Sequence, residues 1–154
     1  MISVCIATYN GEKYIKEQLQ SILQQLSEGD EIIISDDGST DNTIKIIEDL
    51  NDNRIRILQH IKKSYKGFSS SHQYSSSNFE NAIKEAKGEY IFLSDQDDIW
   101  DVHKVKKTLE ILSDKNLYLV MSNYSLIDTE GILIKKKMFE KNPISNSNLI
   151  NLIK

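Results

Sequence analysis

Asp36-Asp37 and Asp95-Gln96-Asp97-Asp98 are the residues of this 154-residue chain whose type and spacing could do chemistry, because each run of carboxylates follows directly on an apolar segment. Aspartates gathered at the mouth of a crevice repel one another unless a cation neutralises them or one of them is protonated. A divalent cation is the simpler solution, and hard oxygen donors favour Mg2+ or Mn2+ over zinc, whose sites draw on Cys and His. Such ions take one or two carboxylates and complete their shell with water and substrate phosphates, so the pattern points to a diphosphate ligand. The glycine-rich phosphate loops are not in the sequence: neither G-x-x-x-x-G-K-[ST] nor G-x-G-x-x-G follows the first apolar run. An EF-hand is excluded, since Asp95-Gln96-Asp97 lacks a glycine and a distal glutamate at the offsets that loop needs. His60, His72 and His103 have no metal-ligand spacing, and no nucleophilic triad can be assembled from the sequence.

These side chains need elements to position them. Ile2, Val4 and Ile6 make residues 2–7 a short β-branched strand that Tyr9-Asn10-Gly11 ends. Ile15, Leu19, Ile22, Leu23 and Leu26 recur at helical spacing over about residues 12–27, with Gly29-Asp30 as the stop. Residues 31–35 carry Ile32-Ile33-Ile34, the continuous apolar run of a strand covered on both faces, and lead into Asp36-Asp37-Gly38. Ser39, Thr40 and Asp41 each suit the N-cap of a helix marked by Ile44, Ile47 and Leu50. Residues 54–59 alternate like a half-exposed strand near a sheet edge, and residues 60–76, dense in Ser and Lys, read as a mobile loop. Ser77 and Glu80 match a capping box ahead of Ala82, Ile83 and Ala86, with Gly88 placed as the C-cap. Residues 90–93 follow as a buried strand, residues 100–113 as a helix and residues 117–121 as a further strand.

Alternating strands and helices specify an α/β fold, a three-layer sandwich around a mainly parallel, Rossmann-like sheet. Parallel strands bring their carboxyl ends to one edge, where open α/β sheets bind ligands. Thr8-Tyr9-Asn10, Asp36-Asp37 and Asp95 to Asp98 all fall on that edge, so residues scattered in sequence converge in space. The chain is long enough for one domain with its own core and too short to expect two. It has no apolar run near the roughly 18 residues of a membrane span, and no basic segment before the first strand. A soluble, cytoplasmic protein is expected. The net charge of -4 disfavours nucleic acid as a partner, and the lysines at 135–137 and at 104, 106 and 107 read as solvated surface. Cys5, the only cysteine, reads as a small buried hydrophobe without a chemical role.

Three strings in order, Val4-Cys5-Ile6-Ala7-Thr8-Tyr9-Asn10-Gly11, Ser35-Asp36-Asp37-Gly38-Ser39-Thr40-Asp41 and Gly88 to Trp100, resemble a family-2 glycosyltransferase with the GT-A fold. The Asp-Gln-Asp-Asp-Ile-Trp form resembles the branch that contains many bacterial rhamnosyltransferases. The resemblance covers about residues 1–136 and implies a nucleotide-sugar-binding core there. Residues 137–154 would then be a tail leading toward an acceptor-binding region that the chain lacks, a truncated GT-A unit. It further implies transfer of a sugar, with inversion and metal assistance, from a UDP- or dTDP-sugar to a glycan or lipid-linked acceptor. Thr8 and Tyr9 would line the base and ribose, and Asp37 would accept a hydrogen bond from the pyrimidine N3–H. Asp95 would reach the ribose or the metal shell, and Asp97 would be the direct ligand of Mn2+ or Mg2+ in the D-x-D motif. Asn10, Glu12 and Asp36 complete the expected donor-binding set. The catalytic base is expected beyond Lys154, so the 154-residue chain is expected to bind donor weakly and to transfer sugar poorly or not at all. An acceptor of this kind is also compatible with a peripheral place at the inner face of the membrane, and Leu149, Ile150, Leu152 and Ile153 could support self-association.

Each motif also has a plainer reading. Asp36-Asp37-Gly38 suits a turn, Asp95 to Asp98 suit the start of the following helix, and Trp100 suits the core better than a sugar platform. A phosphotransfer protein of the receiver or haloacid-phosphatase type also gathers aspartates around Mg2+, but it places key carboxylates after its first strand, where this chain has Thr8-Tyr9-Asn10. A non-catalytic nucleotide-binding or interaction module is the other alternative.

Overall fold

The computed structural model of the chain describes residues 1–60, 71–113 and 119–136. Two compact units divide it, Met1–Lys106 and Lys107–Lys154. The expected tail at 137–154, with its apolar residues, lies outside the described residues.

In the first unit, β1 (Ile2–Thr8), α1 (Ile15–Leu23), β2 (Glu31–Asp36), α2 (Thr43–Asp49), β3 (Ile55–Gln59), α3 (Ser71–Lys84) and β4 (Tyr90–Asp95) alternate, and α4 (Lys104–Leu112) begins at its end. The sheet has the order β3-β2-β1-β4, and every pair is parallel. Val4 and Ile6 of β1 pair with Phe92 and Ser94 of β4, and on that face α1 buries Ile15, Leu19 and Ile22. The opposite face carries Cys5 and Ile33, which form a cluster with Ala82 of α3. Helices on both faces make the three layers. Burial pushes the Cys5 thiol up to about 11, with Glu31 adding to the effect, in keeping with an inert hydrophobe.

Helix α1 stops at Leu23, well short of Gly29, because its end is satisfied from elsewhere. The Arg54 guanidinium donates to the carbonyls of Leu23 (3.2 Å) and Leu26 (2.7 Å) and is held by Asp52 at 2.7 Å. Helix α2 starts at Thr43 after Asn42, which makes no side-chain cap. Asp41 does that work from one position earlier, accepting from the Thr43 backbone at 3.0 Å. Helix α3 departs most from expectation. It begins at Ser71, so Ser77 and Glu80 lie inside it and form no capping box, and Glu80 pairs instead with Lys84 at 2.6 Å. Of the expected loop at 60–76, residues 61–70 are outside the described residues and 71–76 are helical.

Gly88 is not a C-cap either, since α3 ends at Lys84. Its amide donates to Ser3 Oγ at 2.7 Å, and a Cβ there would lie 2.5 Å from the Ser3 backbone nitrogen. Glycine is needed where β4 enters against β1. At the sheet edge β4 alternates, with Phe92 and Ser94 buried and Ile91 and Leu93 exposed, so among the described residues one of its faces is covered, where the sequence read the strand simply as buried. Trp100 is core, buried against Phe92 with ring centroids 5.5 Å apart.

The second unit holds a hairpin that the sequence did not suggest: β5 (Leu126–Ile127) antiparallel to β6 (Leu133–Lys135). Its turn is closed by Asp128, whose carboxylate accepts from the amides of Glu130 and Ile132, with Gly131 at φ +77°. Residues 119–121 form no strand, and 117 and 118 are outside the described residues. Among the described residues no helix is long and apolar enough to cross a membrane.

Candidate functional site

The three polar clusters meet at the carboxyl edge of the sheet. β1 runs to β2 and β3 on one side, and β4 lies on its other side, so the order reverses beside β1, the place where α/β sheets open a crevice. The loops after β1 and β2 are laced together. The Asp37 amide donates to the Thr8 carbonyl (2.9 Å), the Asn10 amide to Ser39 Oγ (2.9 Å) and the Gly11 amide to Thr43 Oγ1 (2.7 Å). Asn10, at φ +49°, accepts from the Thr40 amide at 2.8 Å through its side-chain oxygen. Glu12 Oε2 accepts from the backbone and side-chain nitrogens of Asn42, both at 2.9 Å. The Asp36 carboxylate is buried and turned back on its own loop, accepting from the amides of Gly38 (3.0 Å) and Ser39 (2.8 Å) and from Ser39 Oγ. Backbone N–H groups in crossing loops need acceptors, and these three side chains supply them. Asn10, Glu12 and Asp36 therefore hold the loops together at the rim of the crevice.

Gln96 joins the third loop to the first. Its Oε1 accepts from Thr8 Oγ1 (2.6 Å) and from the Tyr9 amide (2.9 Å), while its Nε2 donates to the Tyr9 carbonyl (3.2 Å). A Cβ on Gly11 would come within 2.5 Å of Gln96 Oε1, so the glycine leaves room for this contact. In the sequence Gln96 is only the middle residue of the D-x-D string. Thr8 is buried with its hydroxyl engaged, whereas Tyr9 is half exposed at the crevice.

Beneath Asp95 lies a buried polar knot. Ser94 Oγ accepts from Gln18 Nε2 and from Trp100 Nε1, both at 2.9 Å, and the Trp100 amide donates to Ser21 Oγ at 2.9 Å. This anchors the segment bearing Asp95, Asp97 and Asp98, whose side chains reach solvent. Partial desolvation, then the neighbouring Asp97, pushes the Asp95 carboxyl above its ordinary range. Asp98 is raised by desolvation and by Asp95 and Asp97, with the Lys104 ammonium opposing. Among the described residues no three His, Cys, Asp or Glu side chains form a ready metal cluster. The mutually repelling oxygens suit a hard cation held by one or two carboxylates, with phosphate and water completing its shell.

A histidine that the sequence left without a role enters here. His60 Nδ1 lies 2.9 Å from Asp37 Oδ1, its Nε2 lies 2.9 Å from Ser77 Oγ in α3, and its amide donates to the Asp36 carbonyl at 2.7 Å. The signal that could have found it is position: His60 directly follows β3, on the same edge as the carboxylates.

Residues 3–153 match the family described as Glycosyl transferase family 2. The chain is 40% identical over 124 residues to the dTDP-rhamnosyl transferase RfbG of Shigella flexneri, covering 77% of this chain and 40% of that protein. It is 28% identical over 135 residues to the UDP-Glc:alpha-D-GlcNAc-diphosphoundecaprenol beta-1,3-glucosyltransferase WfgD of Escherichia coli, covering 88% of this chain and 50% of WfgD. Among solved structures, S. aureus TarS 1-349 in complex with UDP-GlcNAc superposes with a TM-score of 0.58 at 29% identity, over 75% of this chain and 32% of that one. The chain thus spans about half the length, or less, of the relatives it matches.

Proposed function

The chain belongs to the family-2 glycosyltransferases and has their GT-A fold, and from that premise we propose that it binds a nucleoside-diphosphate sugar in the crevice between its β1, β2 and β4 loops, as the donor side of a sugar transfer. The observation that carries this reading is Gln96, which ties the D-x-D loop to Thr8 and Tyr9 and so joins the acidic cluster to the Tyr9 and Asp37 loops as one site. Tyr9 lines the base and ribose, Asp37 accepts from the pyrimidine N3–H, and Thr8 acts through Gln96. Asp95 and Asp97 face the diphosphate, and they would hold Mn2+ or Mg2+. When bound, the cation supplies Lewis-acid stabilisation of the charge that grows on the departing nucleoside diphosphate.

The transfer proposed is a direct displacement, in which an acceptor hydroxyl attacks the anomeric carbon as the bond to the diphosphate breaks, with inversion. The base that takes the hydroxyl proton is assigned to none of the described residues. UDP- or dTDP-sugars are the donors proposed, in line with the TarS and RfbG similarities. A glycan or lipid-linked acceptor, met at the inner face of the membrane, is in line with the relative named for a diphosphoundecaprenol substrate.

A thermal-shift panel of nucleoside diphosphates with and without Mn2+, on the chain and on Asp97→Ala, tests the reading. Ligand at a hundredfold excess over its Kd stabilises by about 2.7 kcal/mol, an easily read shift. The expected result is a Mn2+-dependent shift with UDP or dTDP that Asp97→Ala removes. No metal-dependent shift with any of them overturns the donor-site reading.

A further inference from the structure

We propose that His60 is a positioning residue that sets the pyrimidine preference of the site by orienting the Asp37 carboxylate. This rests on the donor-site reading. The Asp37 and His60 side chains are 10% and 6% exposed, so their contact at 2.9 Å is shielded from water. His60 is held from three sides: its amide on the end of β2, its Nδ1 on Asp37 and its Nε2 on Ser77 of α3. The carboxylate is thereby coupled to rigid elements of the sheet and helix layers, the condition for precise recognition.

The polarity of the chain of bonds is fixed by its chemistry. An ionised carboxylate only accepts, so Nδ1 carries the proton that faces Asp37. In a neutral ring Nε2 then accepts from the Ser77 hydroxyl, and in a protonated ring it donates to it. Either way Asp37 is kept as an acceptor. That matches uracil and thymine, whose N3 carries a hydrogen, and opposes cytosine, whose N3 is itself an acceptor. The connectivity also resembles a nucleophilic triad, but Ser77 sits within α3, where backbone N–H groups serve the helix ladder and are not available to an oxyanion. Positioning is the role the surroundings support.

Calorimetric titration of the 154-residue chain with UDP and with CDP, in the presence of Mn2+, tests this, with a melting temperature recorded for every variant. His60→Leu is expected to weaken UDP binding roughly tenfold while leaving CDP little changed, so that the preference collapses. His60→Asn, whose amide can donate to Asp37 in place of Nδ1, is expected to keep most of the preference. His60→Gln, whose amide reaches toward Ser77 instead, is expected to lose it. If His60→Leu does not fold, the Asn and Gln pair decides alone: equal preference in both overturns the proposal. A purely structural role would lower the melting temperature and weaken UDP and CDP alike, which also overturns it. Wild-type chain that binds neither nucleotide overturns the donor-site reading itself, whereas a wild-type preference for UDP that survives in His60→Leu overturns only the role of His60.

Discussion

Ser94→Ala removes one oxygen from the buried knot beneath the D-x-D loop, and its cost follows from what that oxygen does. Ser94 Oγ accepts from Gln18 Nε2 and Trp100 Nε1, each at 2.9 Å, and all three residues are buried. Gln18 Oε1 has no hydrogen-bond partner among the described residues, so the Ser94 contact is the side chain's one satisfied polar bond there. Alanine leaves two buried N–H donors unpaired, at about 1–3 kcal/mol each. Relaxation recovers part of this, and the void left by one oxygen adds little, so a loss of about 2–4 kcal/mol is expected. Trp100→Phe removes one of the two donors in advance while keeping a ring against Phe92. A double-mutant cycle should therefore show coupling of about 1 kcal/mol or more, with the double variant less destabilised than the sum of the two. Urea denaturation followed by far-UV circular dichroism reads it, because Trp100 is the only tryptophan and fluorescence would be lost. A Ser94→Ala cost under about 0.5 kcal/mol, or additive behaviour, would refute the reasoning.

Gly88→Ala should destabilise the chain by about 1–3 kcal/mol in the same assay, because the new Cβ would sit 2.5 Å from backbone rather than from a yielding side chain; an unchanged urea midpoint counts against it. Gln96→Ala should cost about 1 kcal/mol of stability, since it takes the acceptor from the buried Thr8 hydroxyl, and weaken Mn2+-dependent UDP binding roughly tenfold to a hundredfold, as losses of supporting residues around metal sites do; wild-type affinity would remove Gln96 from the site. The pH dependence has a definite sign. Asp95 and Asp98 have folded pKa values raised above the ordinary 3.8, so the folded chain holds their protons more tightly than the unfolded one. Their contribution to stability therefore falls as pH rises from that value through the raised ones. A cation competes with those protons, so Mn2+ affinity should rise across the same window and level off above it; affinity that stays flat on acidification to about pH 4 would contradict this.

Much of the framework was legible in residue patterns alone. Ile32-Ile33-Ile34 announced a strand buried on both faces, Ile15, Leu19 and Ile22 announced the covering face of α1, and the acidic runs after β2 and β4 fall at the carboxyl edge of the sheet as their order implied, because periodicity and strand-end position are local properties. Local rules also misled where tertiary contacts overrode them. Ser77 and Glu80 fit a capping box by spacing, yet helix α3 runs through both, and Gly88 looked like a helix stop although close approach to Ser3 is what requires it. What the sequence by itself determined is thus the order of elements from β1 to α4, the sheet edge to which the polar clusters fall and the side chains offered there. Which of those side chains bond to one another across the loops was decided only by the tertiary structure. Asn10, Glu12 and Asp36 bond across the crossing loops, Gln96 bonds to Thr8 and Tyr9, and His60 lies against Asp37. The physical reason is distance along the chain: Thr8 and Gln96 are 88 residues apart and Asp37 and His60 are 23 apart. A hydrogen bond between such residues exists only once the parallel strands have brought their ends together.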